Sequence, residues 1–150
     1  MARRWVKTIV YSLVVAVGAT LLWWQMASVQ SMIRLNGVRY QVSIMRTEAE
    51  REKGLSGTEK LPEGNAMLFV FPQSDTWHMW MKDMNYPVDI VWVNDARQVV
   101  HTVSDAQPSS YPKTMFKPDV AARYIIEFPA GTVEKTHIQN GNPVGLPSGV

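Results

Sequence analysis

The sequence predicts a mainly β domain, either an antiparallel sandwich or a partly closed barrel with one or two short helices, preceded by one N-terminal transmembrane helix. Three observations predict it: repeated β-branched and aromatic runs separated by Pro, Gly and Asn, little helical periodicity, and one long uncharged segment. The 150 residues suit one modest domain, and 46% hydrophobic against 19% charged residues excludes a disordered chain. The absence of Cys excludes disulfides, thiolate zinc sites and cysteine nucleophiles.

The N-terminal segment has the features of a membrane anchor. No residue between Lys7 and Arg34 is charged. A helix over residues 8–26 would be about 28 Å long, close to the roughly 30 Å hydrocarbon core of a bilayer. The basic flank, residues 1–7, predicts a cytoplasmic N-terminus and a domain outside the membrane, in the periplasm or at the cell surface.

A cleaved signal peptide is the alternative, because Val29–Ser31 could serve as a weak cleavage site, and the protein would then be secreted. Either interpretation exports the rest of the chain. We expect a short linker over residues 27–33, an extracytoplasmic domain over 34–144 and a tail over 145–150.

A hairpin and a short helix are predicted to begin the exported domain. Ile33–Leu35 and Val38–Met45 flank Asn36-Gly37, a pair that accepts the positive φ angles of a tight turn. Next, Thr47–Glu50 has the spacing of a helix capping box, and Gly54 is placed to end that helix.

The chain beyond residue 65 is dominated by predicted strands. Turn residues separate five of them: Ala66–Phe71, Thr76–Met84, Val88–Asn94, Gln98–Ser104 and Ala122–Phe128. A second short helix is predicted over Thr132–His137, and residues 140–150 are expected to fray.

The charge distribution does not indicate nucleic-acid binding. Three of the fifteen Lys and Arg residues precede residue 8, and all thirteen acids lie beyond residue 40. The basic balance therefore belongs to the N-terminal flank rather than to a folded face. We expect the membrane, and an envelope glycan or a protein, as partners.

A Met-rich stretch raises the question of Cu(I), which soft sulfur ligands select. In a strand, Met79 and Met81 would point to one face and His78 to the other, so no three soft ligands would meet. Packing in the core is the favoured interpretation of these methionines. We expect no metal and no cofactor.

Four residues are the candidate ligand-binding site. Asp89 stands in an apolar run and needs a partner, which Lys82 or Arg123 could supply as a structural ion pair or as a charged pair facing a ligand. Trp80 belongs to a group of aromatic residues that could form a platform for stacking a sugar or peptide. No nucleophile elbow, zinc-helix motif, phosphate loop or dinucleotide fingerprint is present, which leaves catalysis open but disfavoured.

Four segments, in order, closely resemble the domain of unknown function 192 (DUF192) family over about residues 33–144. They are Thr47–Leu55, Met67–Phe71, Trp80–Lys82 with Pro87–Ile90, and Ala122–Tyr124 with Pro129–Thr132. The resemblance implies a compact, mainly β fold of jelly-roll or sandwich type, often exported or membrane-anchored, and no established activity. This chain departs from the family pattern at Thr58, Ala66 and Asp83-Met84, and it retains Lys82, Asp89 and Arg123.

We therefore expect a membrane-anchored extracytoplasmic binding or accessory module of the cell envelope, with its site near Trp80, Lys82, Asp89 and Arg123. The alternative is an envelope-carbohydrate hydrolase acting through Asp89 and a second acid. Cu(I) binding through Met79, Met81 and His78 is the third possibility.

Overall fold

The computed structural model describes residues 31–150. The predicted basic flank and transmembrane helix lie outside these residues. Within residues 31–150, neither α-helix has the length and apolar character needed to cross a membrane.

Seven strands and two short α-helices make up the described chain. In order they are β1 (Met32–Leu35), β2 (Val38–Met45), α1 (Glu48–Lys53), β3 (Asn65–Asp75), β4 (Val88–Val93), β5 (Val99–Ala106), β6 (Ala122–Pro129), α2 (Thr132–Lys135) and β7 (Val144–Gly145). A 3₁₀ turn, Pro108–Ser110, follows β5. The prediction of a mainly β fold with short helices is confirmed.

All seven strands form one sheet in the order β5-β4-β6-β3-β2-β1-β7, curled into a half-barrel. The segment before β7 approaches the start of β5, where Gln98 pairs with Pro143 and the Val99 amide donates to the Asn142 carbonyl at 3.0 Å. Of the two predicted architectures, the partly closed barrel is therefore nearer to the structure. The sheet is not wholly antiparallel, because the crossover through α1 makes β2 and β3 parallel.

The first hairpin and α1 confirm their sequence predictions. Asn36 and Gly37 both have positive φ, at 47° and 84°. The capping box is complete, since the Glu50 amide donates to Thr47 Oγ1 at 3.2 Å and the Thr47 amide donates to Glu50 Oε2 at 2.8 Å. α1 ends at Gly54, whose amide donates to the Glu50 carbonyl.

The prediction of a strand over Thr76–Met84 was wrong. β3 instead continues past Pro72 to Asp75, with a register shift after Val70 that accommodates the proline. In residues 76–84 the only strand-like pairing is a bridge between Met79 and Phe116. This segment follows the core surface, because Met79 and Met81 are both buried.

The C-terminal segment predicted to fray contains β7. Val144 pairs with Leu35 of β1 and is only 4% exposed. The segment is ordered because it supplies the missing neighbour of an edge strand and buries an apolar side chain.

Apolar side chains form a core on each face of the sheet. The α2-side core includes Leu68, Val91, Ile126 and Val133 of α2. The α1-side core lies beneath α1 and comprises Leu55, Met67, Phe69, Phe71, Met79, Met81, Val88, Ile90, Trp92, Ala106, Ala122 and Ile125. Because successive strand residues alternate in direction, β3, β4 and β6 contribute to both cores.

Candidate functional site

A buried acid lies on the α1-side face of the central strands. Glu127 is in register with Met67 of β3 and with Ile90 of β4, and both neighbours belong to the α1-side core. The side chain is 3% exposed. The side chain therefore lies in a mainly apolar environment. Burial of an ionised carboxylate there costs free energy unless a hydrogen-bond donor or a cation pairs with it.

Glu127 lines a cavity of about 640 Å³, a volume typical of small-molecule sites. The other walls come from α1 and the loop after it, from β3, and from the segment after β3. They are Glu48, Arg51, Glu52, Lys53, Gly54, Leu55, Ser56, Phe69, Phe71, Pro72, Trp77, His78, Met79, Trp80 and Met84. The α1 acids and Lys53 are exposed, so the cavity opens to solvent on that side.

Phe71, Trp77 and Trp80 form an aromatic wall of the cavity. Several contacts hold the first two rings in place. Phe71 and Trp77 stack with ring centroids 4.4 Å apart and planes 15° apart, and the Arg51 guanidinium lies 5.1 Å from the Phe71 centroid. Trp77 Nε1 donates to the Gln73 carbonyl at 3.1 Å, and Trp92 Nε1 donates to the Trp77 carbonyl at 3.0 Å. These contacts fix the orientation of the Phe71 and Trp77 rings.

Arg51 is committed to the backbone. Its guanidinium donates to the carbonyls of Arg46 and Val70, the latter at 3.1 Å. These bonds hold the cation against Phe71 at the wall.

Burial raises the pKa of Glu127 to about 8. Among residues 31–150 no donor lies within hydrogen-bond distance of Glu127 Oε2. The pKa of Tyr86 is raised, first by burial and further by the charge of Glu127, although its hydrogen bond to Thr58 at 2.5 Å opposes this. Glu127 is therefore mainly protonated near neutral pH and has capacity for another partner.

Two of the four predicted site residues lie together. Trp80, which is 37% exposed, lines the Glu127 cavity. Trp80 and Lys82 also line a neighbouring depression of about 270 Å³. Arg123 lines neither; it pairs with Asp95 at 3.1 Å, with both side chains about half exposed.

Asp89 lies on the opposite face of the sheet and is completely buried. The predicted ion pair with Lys82 or Arg123 was wrong. Asp89 instead accepts hydrogen bonds from the Asp105 amide at 2.8 Å and from the Val133 amide at 2.7 Å. The second contact satisfies one of the free N–H groups at the start of α2, so backbone amides supply hydrogen bonds to this buried carboxyl group.

The residues of the Cu(I) hypothesis are divided between core and surface. Met79 and Met81 belong to the α1-side core, at 9% and 1% exposure, whereas His78 is exposed. Within the described chain, no three His, Asp or Glu side chains are grouped as metal ligands.

Sequence reasoning did not select Glu127 as a site residue. The available signal was the same one that selected Asp89, namely an acid inside an apolar strand, here Tyr124–Phe128. Which acid meets a cavity depends on the packing of α1 over the sheet, and this is not visible in one strand's pattern.

Comparisons with known proteins agree with this architecture. A protein of unknown function from Novosphingobium aromaticivorans DSM 12444 is 25% identical with a TM-score of 0.71, over 75% of this chain and 82% of the other. A candidate transcription regulator from Sinorhizobium meliloti 1021 is 21% identical with a TM-score of 0.72, over 78% and 93% of the two chains, a likeness of fold alone. No curated protein matches the chain. The model of DUF192, described as an uncharacterized ACR, matches residues 31–146, and the chain therefore belongs to the DUF192 family.

Proposed function

We propose that this protein is a membrane-anchored, extracytoplasmic binding module of the cell envelope whose ligand site is the Glu127 cavity. The main support for this proposal is the cavity itself, which has a volume of about 640 Å³, an aromatic wall and a buried carboxyl group. Concave, mostly apolar walls with a few polar groups are the usual construction of a small-molecule site. The uncharged segment over residues 8–26 supports the anchoring.

The cavity suits a small ligand or the end group of a larger envelope polymer. Trp80 offers a partly exposed ring at its mouth, and the stacked pair of Phe71 and Trp77 offers an ordered wall. Asp89 gives no support to the hydrolase alternative, because its carboxylate is enclosed and bonded to two amides on the other face.

Thermal unfolding of the purified full chain tests this proposal. The panel comprises envelope glycan fragments, short peptides and small aromatic compounds. One class should raise the melting temperature, because a ligand at about 100 times its Kd stabilises the fold by about 2.7 kcal/mol. Trp80→Ala should then weaken binding by roughly fivefold, since an aromatic contact contributes about 1 kcal/mol.

Tyr111→Ala is the matched control. Tyr111 is 39% exposed, close to the 37% of Trp80, and it does not line the cavity. This variant should bind like the wild type. A flat response to the whole panel, or equal losses in the two variants, would contradict a ligand site at the cavity.

A further inference from the structure

We propose, building on the proposed function, that the Glu127 cavity selects a small organic ammonium ion, which pairs with the Glu127 carboxylate while its carbon groups contact the aromatic wall. The inference goes beyond ligand binding in general because it names the chemical class. Three features of the cavity support it.

The first feature is the unmet bonding capacity of Glu127. Oε2 is buried and has no donor among residues 31–150. An ammonium group brings N–H donors and a positive charge, and so supplies both things that a buried carboxylate lacks. An anionic ligand would bring neither and would be repelled once Glu127 ionises.

The second feature is the aromatic wall. Aromatic faces attract cations, with Trp the strongest, and both Trp77 and Trp80 line this cavity. The wall already holds one cation, since the Arg51 guanidinium lies over Phe71. Arg51 donates its hydrogen bonds to backbone carbonyls, so it does not pair with the Glu127 carboxyl group.

The third feature is the charge around Glu127. The groups facing the cavity from α1 are Glu48, Arg51, Glu52 and Lys53; the segment after β3 contributes His78, and Tyr86 lies close enough for its pKa to respond to Glu127. When Glu127 is ionised, three carboxylates stand against two permanent cations. The balance then favours a positively charged guest.

The geometry has a measurable consequence, a coupling of ligand binding to proton release. The ammonium ion pairs with ionised Glu127, whereas burial holds the pKa of the empty site at about 8. Below that pH the cation must displace the proton, which moves from the carboxyl group to the buffer. Affinity should therefore rise by up to tenfold per pH unit and level off above about pH 8.

Isothermal titration of the full chain with benzylammonium chloride and with benzyl alcohol tests the proposal. The two probes share a ring and differ in charge. Benzylammonium should bind more tightly than the alcohol, and its affinity should rise roughly fiftyfold from about pH 6 to about pH 8. Titrations in buffers of different ionisation enthalpy should show release of up to one proton per cation bound.

Glu127→Gln keeps the shape of the side chain and removes its charge, so the pH dependence and the preference for the cation should both be lost. Glu134→Gln is the matched control, because Glu134 is an exposed acid on α2, away from the cavity. It should behave like the wild type. If the Glu127 variant does not fold, the wild-type pH profile and the preference for benzylammonium over benzyl alcohol together test the proposal.

Equal binding of the alcohol and the cation would overturn the ammonium assignment and leave the cavity as a ligand site. Binding by neither probe would also overturn it. The proposed function falls as well if the wider panel gives no response, or if Trp80→Ala and Tyr111→Ala weaken binding equally.

Discussion

The chemistry of the site depends on the carboxyl group of Glu127, which is buried among apolar side chains. Glu127 and Asp89 lie on neighbouring strands and are both buried, yet their surroundings differ. Asp89 has two backbone N–H donors, whereas Glu127 Oε2 has none among the described residues. Amide donors stabilise an ionised carboxylate, and without them burial favours the protonated form. Asp89 is therefore suited to a structural role, whereas Glu127 is suited to binding a ligand in place of its proton.

Glu127 should make the protein less stable as the pH rises. Its pKa is about 8 in the folded protein against 4.5 for the free side chain, so the folded state binds more protons between these values. Stability is thus greatest below about pH 4.5, as far as this group is concerned, and falls by up to about 1.4 kcal/mol per pH unit until about pH 8. Urea unfolding across this range measures the slope. Glu127→Gln should remove this component and Glu134→Gln should retain it; equal slopes in all three proteins would contradict the assignment.

At the scale of one residue, the sequence could identify buried acids but not their partners. An acid within a β-branched run is visible in the printed sequence for both Asp89 and Glu127. The partners of Asp89 are amides at positions 105 and 133, and they come near it only through the sheet and α2. Reasoning from side-chain charge alone therefore predicted Lys82 or Arg123 as the partner of Asp89, and this prediction was wrong.

At the scale of an element, the turn after α1 shapes the cavity. Gly54 has a φ of 44°, and a Cβ there would lie 3.2 Å from Phe69 Cζ, which is tighter than ordinary contact. Both Gly54 and Phe69 line the cavity. The glycine lets the helix end close to the wall without displacing the ring.

Gly54→Ala should destabilise the protein by about 2 kcal/mol, because backbone strain and the contact with Phe69 act together. Gly57→Ala is the control: Gly57 also has positive φ, at 74°, but a Cβ there would meet no atom within 4 Å. It should cost about 1 kcal/mol, from the backbone alone. Denaturant unfolding compares them, and an equal cost would show that the ring is not in close contact.

The elements that the sequence predicted well are those defined by local signals. The hairpin through Asn36-Gly37 and helix α1 both rest on residues a few positions apart, and both are confirmed. The segment 76–84 has strand-like composition but lies over the α1-side core. Its apolar residues are explained by burial, which favours the same residue types as a strand does.

At the scale of the whole molecule, the sheet has two buried faces although it is a single layer. The α2-side core fills one face, and Leu55 after α1, with Met79 and Met81 of the segment after β3, covers the other. This second cover leaves the cavity over Glu127. Local patterns predicted β1 to β6, but they did not predict β7 or the position of the cavity, because both depend on contacts between distant segments.

The placement of this domain relative to the membrane remains a prediction from residues 1–26, and the chain allows a direct test. It contains no Cys, so a single introduced thiol can be labelled without background. Lys113 is exposed in the folded domain, and Ala2 lies in the basic flank. In intact cells or spheroplasts, a membrane-impermeant maleimide should label Lys113→Cys. Ala2→Cys should react only after the membrane is permeabilised, because the positive flank favours the cytoplasmic side.

The same two variants distinguish an anchor from a cleaved signal. An uncleaved anchor keeps both thiols in the membrane fraction after an alkaline wash, because residues 8–26 stay embedded. Cleavage would remove Ala2→Cys from the mature protein and release Lys113→Cys into the soluble fraction. Labelling of both thiols without permeabilisation, or protection of both, would contradict the orientation, because one anchor of this charge pattern places the two ends on opposite sides of the bilayer.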